Sequence, residues 1–228
     1  MGLGIHLTGI YSFFRIPYNS LLMDTYVFPP KTTVIGLISA ALGWDEDEFL
    51  SKISQFRYGI IIEDPGETVS ETAAIFKTKE APIYPITKIM NYKPSYRVFV
   101  ASEDEDLMKE AEVALRDPAF VLYLGDSENL WYPKVKNYFA LMEIEEREVE
   151  SLKCILPSEV FKEFYKDYSR TSNVFLPPKE VRIPVGFTGS GRRRRFIPRS
   201  VYYYSGIELN LQKPLRVFDF NGNGVYLF

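Results

Sequence analysis

The sequence predicts an α+β protein built on an antiparallel sheet. Three observations carry this expectation. Through about residue 125 the β-rich and helical runs follow the order β-α-β…β-α-β, which sets two helices on one face of an antiparallel sheet, the arrangement of RRM-like and ferredoxin-like domains. Beyond that point, residues 137–145 and 181–228 read almost wholly as strands. The composition, 46% hydrophobic and 15% aromatic in 228 residues, excludes a disordered chain. The expected organisation is an RRM/ferredoxin-like amino-terminal domain over residues 1–130 and a smaller β-rich carboxy-terminal part over 131–228.

Residues 3–14, LGIHLTGIYSFF, contain period-2 stretches and read as the first strand. Pro29 and Pro30 forbid helix before Lys31 and favour extended backbone. Lys31, Thr32 and Thr33 then open an apolar run to Leu42. Its small residues, Gly36, Ser39, Ala40 and Ala41, suit a helix lying close on a sheet, and Gly43 suits its C-terminal stop. A second helix over 45–53 begins with acids, where the helix dipole favours them. Residues 56–64 form a strand, Pro65-Gly66 a turn, and 72–78 another strand. Pro82, Pro85 and Pro94 demote 79–94 to loop or edge structure. A strand at 96–102 follows, then a helix at 104–115 with Leu107, Ala111, Ala114 and Leu115 on one face, then a short strand at 120–124. A short helix is expected near 157–167, and Asn221-Gly222-Asn223-Gly224 is a hairpin turn before the last strand.

The single cysteine, Cys154, excludes an internal disulfide and a cysteine-built zinc site, and points to a reducing, cytoplasmic setting. The single histidine, His6, excludes histidine-rich metal sites within the chain. No metal and no cofactor are expected. The opening residues lack the basic region and cleavage site of a secretory leader. No apolar run approaches the ~18 residues that suggest a membrane span.

A net charge of −3 conceals a separation of charge along the chain. Residues 179–199 hold seven basic residues against Glu180, and residues 77–99 hold five against Glu80. Acids gather at 45–48, 103–106 and 143–150. Within the first basic stretch, Gly186, Gly189 and Gly191 precede Arg192, Arg193, Arg194 and Arg195, with Arg199 close behind. Glycines let backbone amides approach a phosphate, and guanidinium forks match its oxygens. Phe187, Phe196 and Tyr202 to Tyr204 lie nearby as candidate stacking rings. The plainer alternative is a solvated loop. In the second stretch Lys88, Lys93 and Arg97 interleave with Tyr92 and Tyr96, which reads as a protruding hairpin with stacking platforms or as an ordinary edge strand. A third candidate site joins Phe13, Phe14 and Arg15 to Lys31 and Thr32 at a helix N-terminus, a position that suits an anion. Simple capping explains it equally well.

Catalysis finds little footing. Metal-independent RNA cleavage usually employs histidine as acid or base, and His6 sits within a strand. A two-metal nuclease needs carboxylates beside the basic surface, and the acidic runs are separate from it in sequence.

One stretch is more specific. LTGIYSFFR ends at Arg15, and YVFPPKTTVIGLISAALG runs from Tyr26 to Gly43. It resembles the amino-terminal signature of the CRISPR-associated RAMP family five, the subunit at the 5′ end of the guide RNA in type I Cascade complexes. That family's Pro-x-x-[Ser/Thr]-x-x-Gly-Leu-[Ile/Leu]-x-Ala-x-Leu-Gly run is matched from Pro30 to Gly43. Tyr123-Leu-Gly-Asp-Ser-Glu-Asn-Leu130 is similar to its Tyr-Leu-Gly-Arg motif, except that Asp126 stands where arginine is common.

The resemblance implies a non-catalytic RNA-binding subunit that grips the 5′ handle of the guide RNA (crRNA), contacts the Cascade backbone and large subunits, and serves antiviral defence. It also implies a thumb over the RNA, for which the 77–99 hairpin is the candidate. A branch of the family cuts precursor guide RNA with a tyrosine near the end of the first helix and an adjacent Lys-His. Here that stretch reads Ala40-Ala-Leu-Gly-Trp44, and no Lys-His pair occurs. The alternative function is a metal-independent endoribonuclease that uses Tyr, Lys or His6.

Overall fold

Alternation along the first strand sorts its residues onto two faces, and both faces are used. The computed structural model of the chain describes residues 1–17, 22–76, 83–131 and 139–228. Strand β1 (Gly2–Thr8) turns Leu3, Ile5 and Leu7 into one core and Gly2, Gly4 and His6 to the reverse side. The strand expected over 3–14 breaks at Gly9-Ile10, and a two-residue β2 (Tyr11–Ser12) joins a different sheet.

Helix α1 (Lys31–Leu42) starts where Pro30 dictates, and Gly43, at φ 76°, ends it by donating its N–H to Ala40. Helix α2 (Glu46–Lys52) follows with a capping box between Asp45 and Glu48, then a 3-10 turn at Ile53–Gln55. Strands β3 (Arg57–Asp64), β4 (Glu67–Phe76), β5 (Ile83–Tyr92) and β6 (Ser95–Ala101) come next. Helix α3 (Glu105–Arg116), N-capped by Asp104, buries Leu107, Met108, Ala111 and Leu115.

Three corrections to the sequence reading arise here. Residues 83–92 form a full strand despite Pro85. They pair with β4 along their whole length, while β2 reaches only Asn91 and Tyr92. On the other side Met23 bridges Lys88, and among the described residues no strand pairs with that edge at Pro85, where a missing donor is tolerated. The tip of this hairpin, 77–82, with Lys77, Lys79 and Pro82, lies outside the described residues. Residues 120–124 are not a strand; they make one isolated bridge, Tyr123 to Leu130. The fourth strand of the ferredoxin-like sheet is instead β7 (Phe139–Met142), antiparallel to β1, so this sheet extends past residue 130.

The remaining elements are β8 (Glu145–Leu152), β9 (Leu156–Pro157), α4 (Ser158–Phe164), β10 (Tyr165–Arg170), β11 (Leu176–Thr188), β12 (Arg195–Ser205), β13 (Ile207–Phe220) and β14 (Asn223–Val225). The β11–β12 hairpin extends the first sheet, giving the order β11-β12-β3-β6-β1-β7. Strands β8, β10, β13 and β14 form a second sheet packed on the reverse face of the first, where the Phe99 and Phe220 rings lie 4.9 Å apart. Gly59 permits this approach, since a Cβ there would sit 2.5 Å from a Val225 methyl. One core thus fills the space between helices and sheet, and a second joins the two sheets. No helix among the described residues is long and apolar enough to cross a membrane.

Candidate nucleic-acid interface

On the helix side of the sheet, three segments distant in sequence meet residues 13–17 around a groove of about 450 Å³. The first is the start of α1, whose Thr32, Thr33 and Gly36 line it. Gly36 has helical geometry, and a Cβ added there meets nothing within 4 Å. The groove is open at this point because the helix carries no side chain there. Glycine inside a helix costs roughly 0.5–1 kcal/mol relative to alanine.

The second segment is 121–125. Buried Leu122 and Leu124 anchor it, and alternation turns Val121 and Tyr123 outward, 60% and 44% exposed. Phe13 donates its N–H to the Leu124 carbonyl over 3.0 Å. Gly125, at φ 87°, rests against the Phe13 carbonyl where no side chain fits. Phe13 and the exposed Arg15 are thereby fixed beside the groove.

The third segment is the open end of β11–β12. Gly189 and Gly191 take positive φ values and close the loop. Phe187 and Phe196 pair across the strands at 5.1 Å, and the Arg194 guanidinium lies 4.8 Å over Phe187. Phe196 remains 38% exposed. Arg192 and Arg193 are exposed and make no ion pair among the described residues. The carboxylate of Glu46, on α2, accepts from the Gly191 N–H at 3.3 Å and from Arg194 at 3.2 Å.

That contact overturns the expected separation of acids from the basic surface. Arg199 pairs with Glu159 at 2.5 Å, Arg97 with Glu63 at 2.7 Å, and Lys88 with Asp126 at 2.6 Å and Glu128 at 3.3 Å. Residues far apart in sequence bring the charges together. Burial lowers the Lys88 pKa, but hydrogen bonds and charge from Asp126 and Glu128 outweigh burial and raise it. Lys31 goes the other way: burial, then the charge of Arg199, lower its pKa from 10.5 to about 8.

Of the residues expected from sequence, the groove gathers Phe13, Phe14, Arg15, Thr32 and Arg194. Gly189, Gly191, Arg192, Arg193 and Arg195 lie on the loop that carries Arg194. Lys31 and Arg199 sit within electrostatic reach of each other. Tyr92 and Lys93 are at the base of the β4–β5 hairpin, where Tyr92 packs on Tyr11 at 5.3 Å and Lys93 lies over the Tyr92 ring. Arg97 is on the reverse face of the sheet, opposite His6 in register. His6 is half-exposed and lies 3.0 Å from the Ser95 hydroxyl.

The stacking assignments need correction. Phe14 and Tyr96 are core residues, 2% and 0% exposed, packed edge-on at 6.0 Å, and the Tyr96 hydroxyl donates to the Val27 carbonyl. Phe13 is 3% exposed beneath the Lys88 ammonium. Tyr204 is buried, and Tyr202 stacks on Phe161. The exposed rings at the groove are Tyr123 and Phe196. Tyr123 was missed as a groove residue, although the Leu-Tyr-Leu alternation at 122–124 already marks it as outward-facing.

The family model described as CRISPR-associated protein (Cas_Cas5) matches residues 2–175. No curated protein sequence matches the chain significantly. The fold is similar to a chain of a CRISPR RNA-guided surveillance complex, with TM-score 0.59 and 14% identity, covering 92% of this chain and 90% of that one. It is also similar to a CRISPR protein from Archaeoglobus fulgidus, with TM-score 0.50 and 13% identity, covering 98% and 97%. At such identities these two likenesses speak for the fold alone, whereas the family match spans most of the length: the chain belongs to the CRISPR-associated Cas5 family.

Proposed function

We propose that this chain is a non-catalytic subunit of a type I CRISPR RNA-guided surveillance complex, and that its groove holds the 5′ handle of the guide RNA in antiviral defence. The observation that carries this reading is the convergence of Arg15, Thr32, Arg194, Tyr123 and Phe196 on one groove from four separate segments. Guanidinium and hydroxyl donors suit phosphates, and exposed rings suit unstacked bases. The backbone and large subunits of the complex are the protein partners that accompany this role.

The non-catalytic part is supported by placement. Ile5 and Leu7 face the helices, so His6 points to the opposite side of the sheet, away from the groove. The imidazole is therefore separated from the groove by the sheet itself. The stretch at the end of α1 offers Trp44 rather than tyrosine.

The test uses the intact chain and labelled repeat RNA without metal. Binding without cleavage is expected, with tighter binding when the backbone subunit is added, because linked contacts raise effective concentration. Cleavage at a single site would favour the endoribonuclease alternative. Absence of binding both alone and with the backbone subunit would end the RNA-binding reading.

A further inference from the structure

Lys31 is the first residue of α1 and is 8% exposed. Among the described residues its ammonium has no hydrogen-bond or ion-pair partner. The Lys31 side chain is mostly buried, and an ammonium without a counter-charge is costly in such a place. The charge that acts on Lys31 is instead another cation, Arg199.

Arg199 is held in place from two sides. Its guanidinium bonds Glu159 at 2.5 Å and lies 5.1 Å over the Phe228 ring. Phe228 packs edge-on against Tyr58 at 5.6 Å, and the Tyr58 hydroxyl donates to the carbonyl of Pro29, two residues before Lys31. Guanidinium and ammonium are thus fixed on the same small region. Pro30 provides no side-chain cap to the twelve-residue α1, and the first turn holds no acid. Two cations and an uncapped helix start share one place, with Glu159 engaged by Arg199.

We propose that Lys31 and Arg199, at the start of α1, hold one phosphate group of a bound RNA backbone. This rests on the RNA-binding reading above and adds a phosphate seat separate from the Gly/Arg loop. The two charged oxygens of a backbone phosphate suit the guanidinium fork and the ammonium.

The experiment follows Lys31 directly, by NMR titration of the intact chain labelled at lysine Cε. Three arms are compared: protein alone, with inorganic phosphate, and with single-stranded repeat RNA. Alone, Lys31 should titrate near 8. Bound RNA should return it toward the ordinary value of ~10.4, and saturating phosphate should move it the same way. The Lys31→Met variant should bind RNA about tenfold more weakly, with the log–log salt slope shallower by about 0.7, the share of one single-strand phosphate contact. If RNA binds the wild type while Lys31 still titrates near 8, and Lys31→Met keeps both affinity and slope, the seat is refuted and the RNA-binding reading survives. If phosphate and RNA both leave Lys31 unmoved but an acidic peptide shifts it, the occupant is a protein carboxylate and the proposal is wrong. If Lys31→Met does not fold, the wild-type titration decides alone.

Discussion

Lys88 and Asp126 join the β4–β5 hairpin to the 121–131 loop through a 2.6 Å ion pair, with the lysine side chain only 12% exposed. Asp126 departs from the arginine of the Tyr-Leu-Gly-Arg motif that this stretch resembles, and the charge that completes the pair comes from the hairpin. Removing the acid leaves a largely buried ammonium dependent on Glu128. Asp126→Asn should therefore cost roughly 1–2 kcal/mol, within the range for hydrogen bonds to charged groups. The double variant with Lys88→Met should recover part of that loss. Urea unfolding of the four proteins measures the coupling, and additive effects would mean the contact contributes nothing.

Glu46 occupies a position on Gly191 and Arg194 that an incoming phosphate oxygen would take. Both partners are well exposed, so the contact is weak and readily displaced. Glu46→Gln removes the competing charge while leaving the Asp45–Glu48 capping box intact. RNA affinity should rise about two- to fivefold at low salt, as displacing a surface ion pair of this strength implies. Fluorescence anisotropy reads it, and unchanged affinity would show that RNA does not reach this end of the loop.

The helix-and-strand order was legible because its signals are local: Pro29-Pro30 and Gly43 bracket α1, and Asp45 and Asp104 cap their helices. The fourth strand was misplaced because VLYLG at 121–125 alternates like a strand. It is held instead by Phe13, more than 100 residues earlier in the chain. The basic residues were found, but their neutralisation was not. Glu46, Glu63, Glu159 and Asp126 lie far in sequence from the cations they meet. Burial of Phe14 and Tyr96 was equally invisible, since an aromatic beside a lysine looks the same in a core as on a surface.

Lys31 also predicts a pH dependence. Its folded-state pKa is lowered, so between about pH 8 and the unfolded value of ~10.4 the unfolded chain binds a proton that the folded chain has released. Stability contributed through Lys31 therefore rises with pH across that window. Burial pushes the Cys154 thiol up to about 12 and raises the Tyr58 and Tyr204 hydroxyls, and these groups favour unfolding at alkaline pH. The informative quantity is thus wild type minus Lys31→Met. Urea unfolding at pH 7.5 and pH 10 should shift that difference in favour of the wild type by roughly 1–3 kcal/mol. A difference that stays flat would place the Lys31 ammonium in water.

Exposed and buried rings should separate cleanly in two assays. Tyr123→Ala and Phe196→Ala are expected to weaken RNA binding by roughly 1–3 kcal/mol each, the range for base–aromatic stacking, with little change in unfolding. Phe14→Ala should lower stability by roughly 3–5 kcal/mol as a core truncation. Anisotropy and urea unfolding on the same preparations test this. RNA binding indifferent to both exposed rings would mean that the bases lie elsewhere.

Gly36 gives the most direct test of the groove. The α1 helix accepts a glycine in its middle although alanine would stabilise it, and the space above that glycine is vacant. Nothing in the packing requires the omission, because a Cβ would meet no atom within 4 Å. Gly36→Ala should raise stability by roughly 0.5–1 kcal/mol and alter RNA binding little, since one methyl group barely fills the opening. Gly36→Leu should keep most of the gain, because leucine is a good helix former, while its side chain occupies the channel between Thr32 and Tyr123. RNA affinity should then fall about tenfold without loss of fold. The opposing directions make the result hard to mimic, since a variant that simply misfolds would lose both properties. A leucine variant that binds RNA as the wild type does would show that the nucleic acid takes another path across the surface.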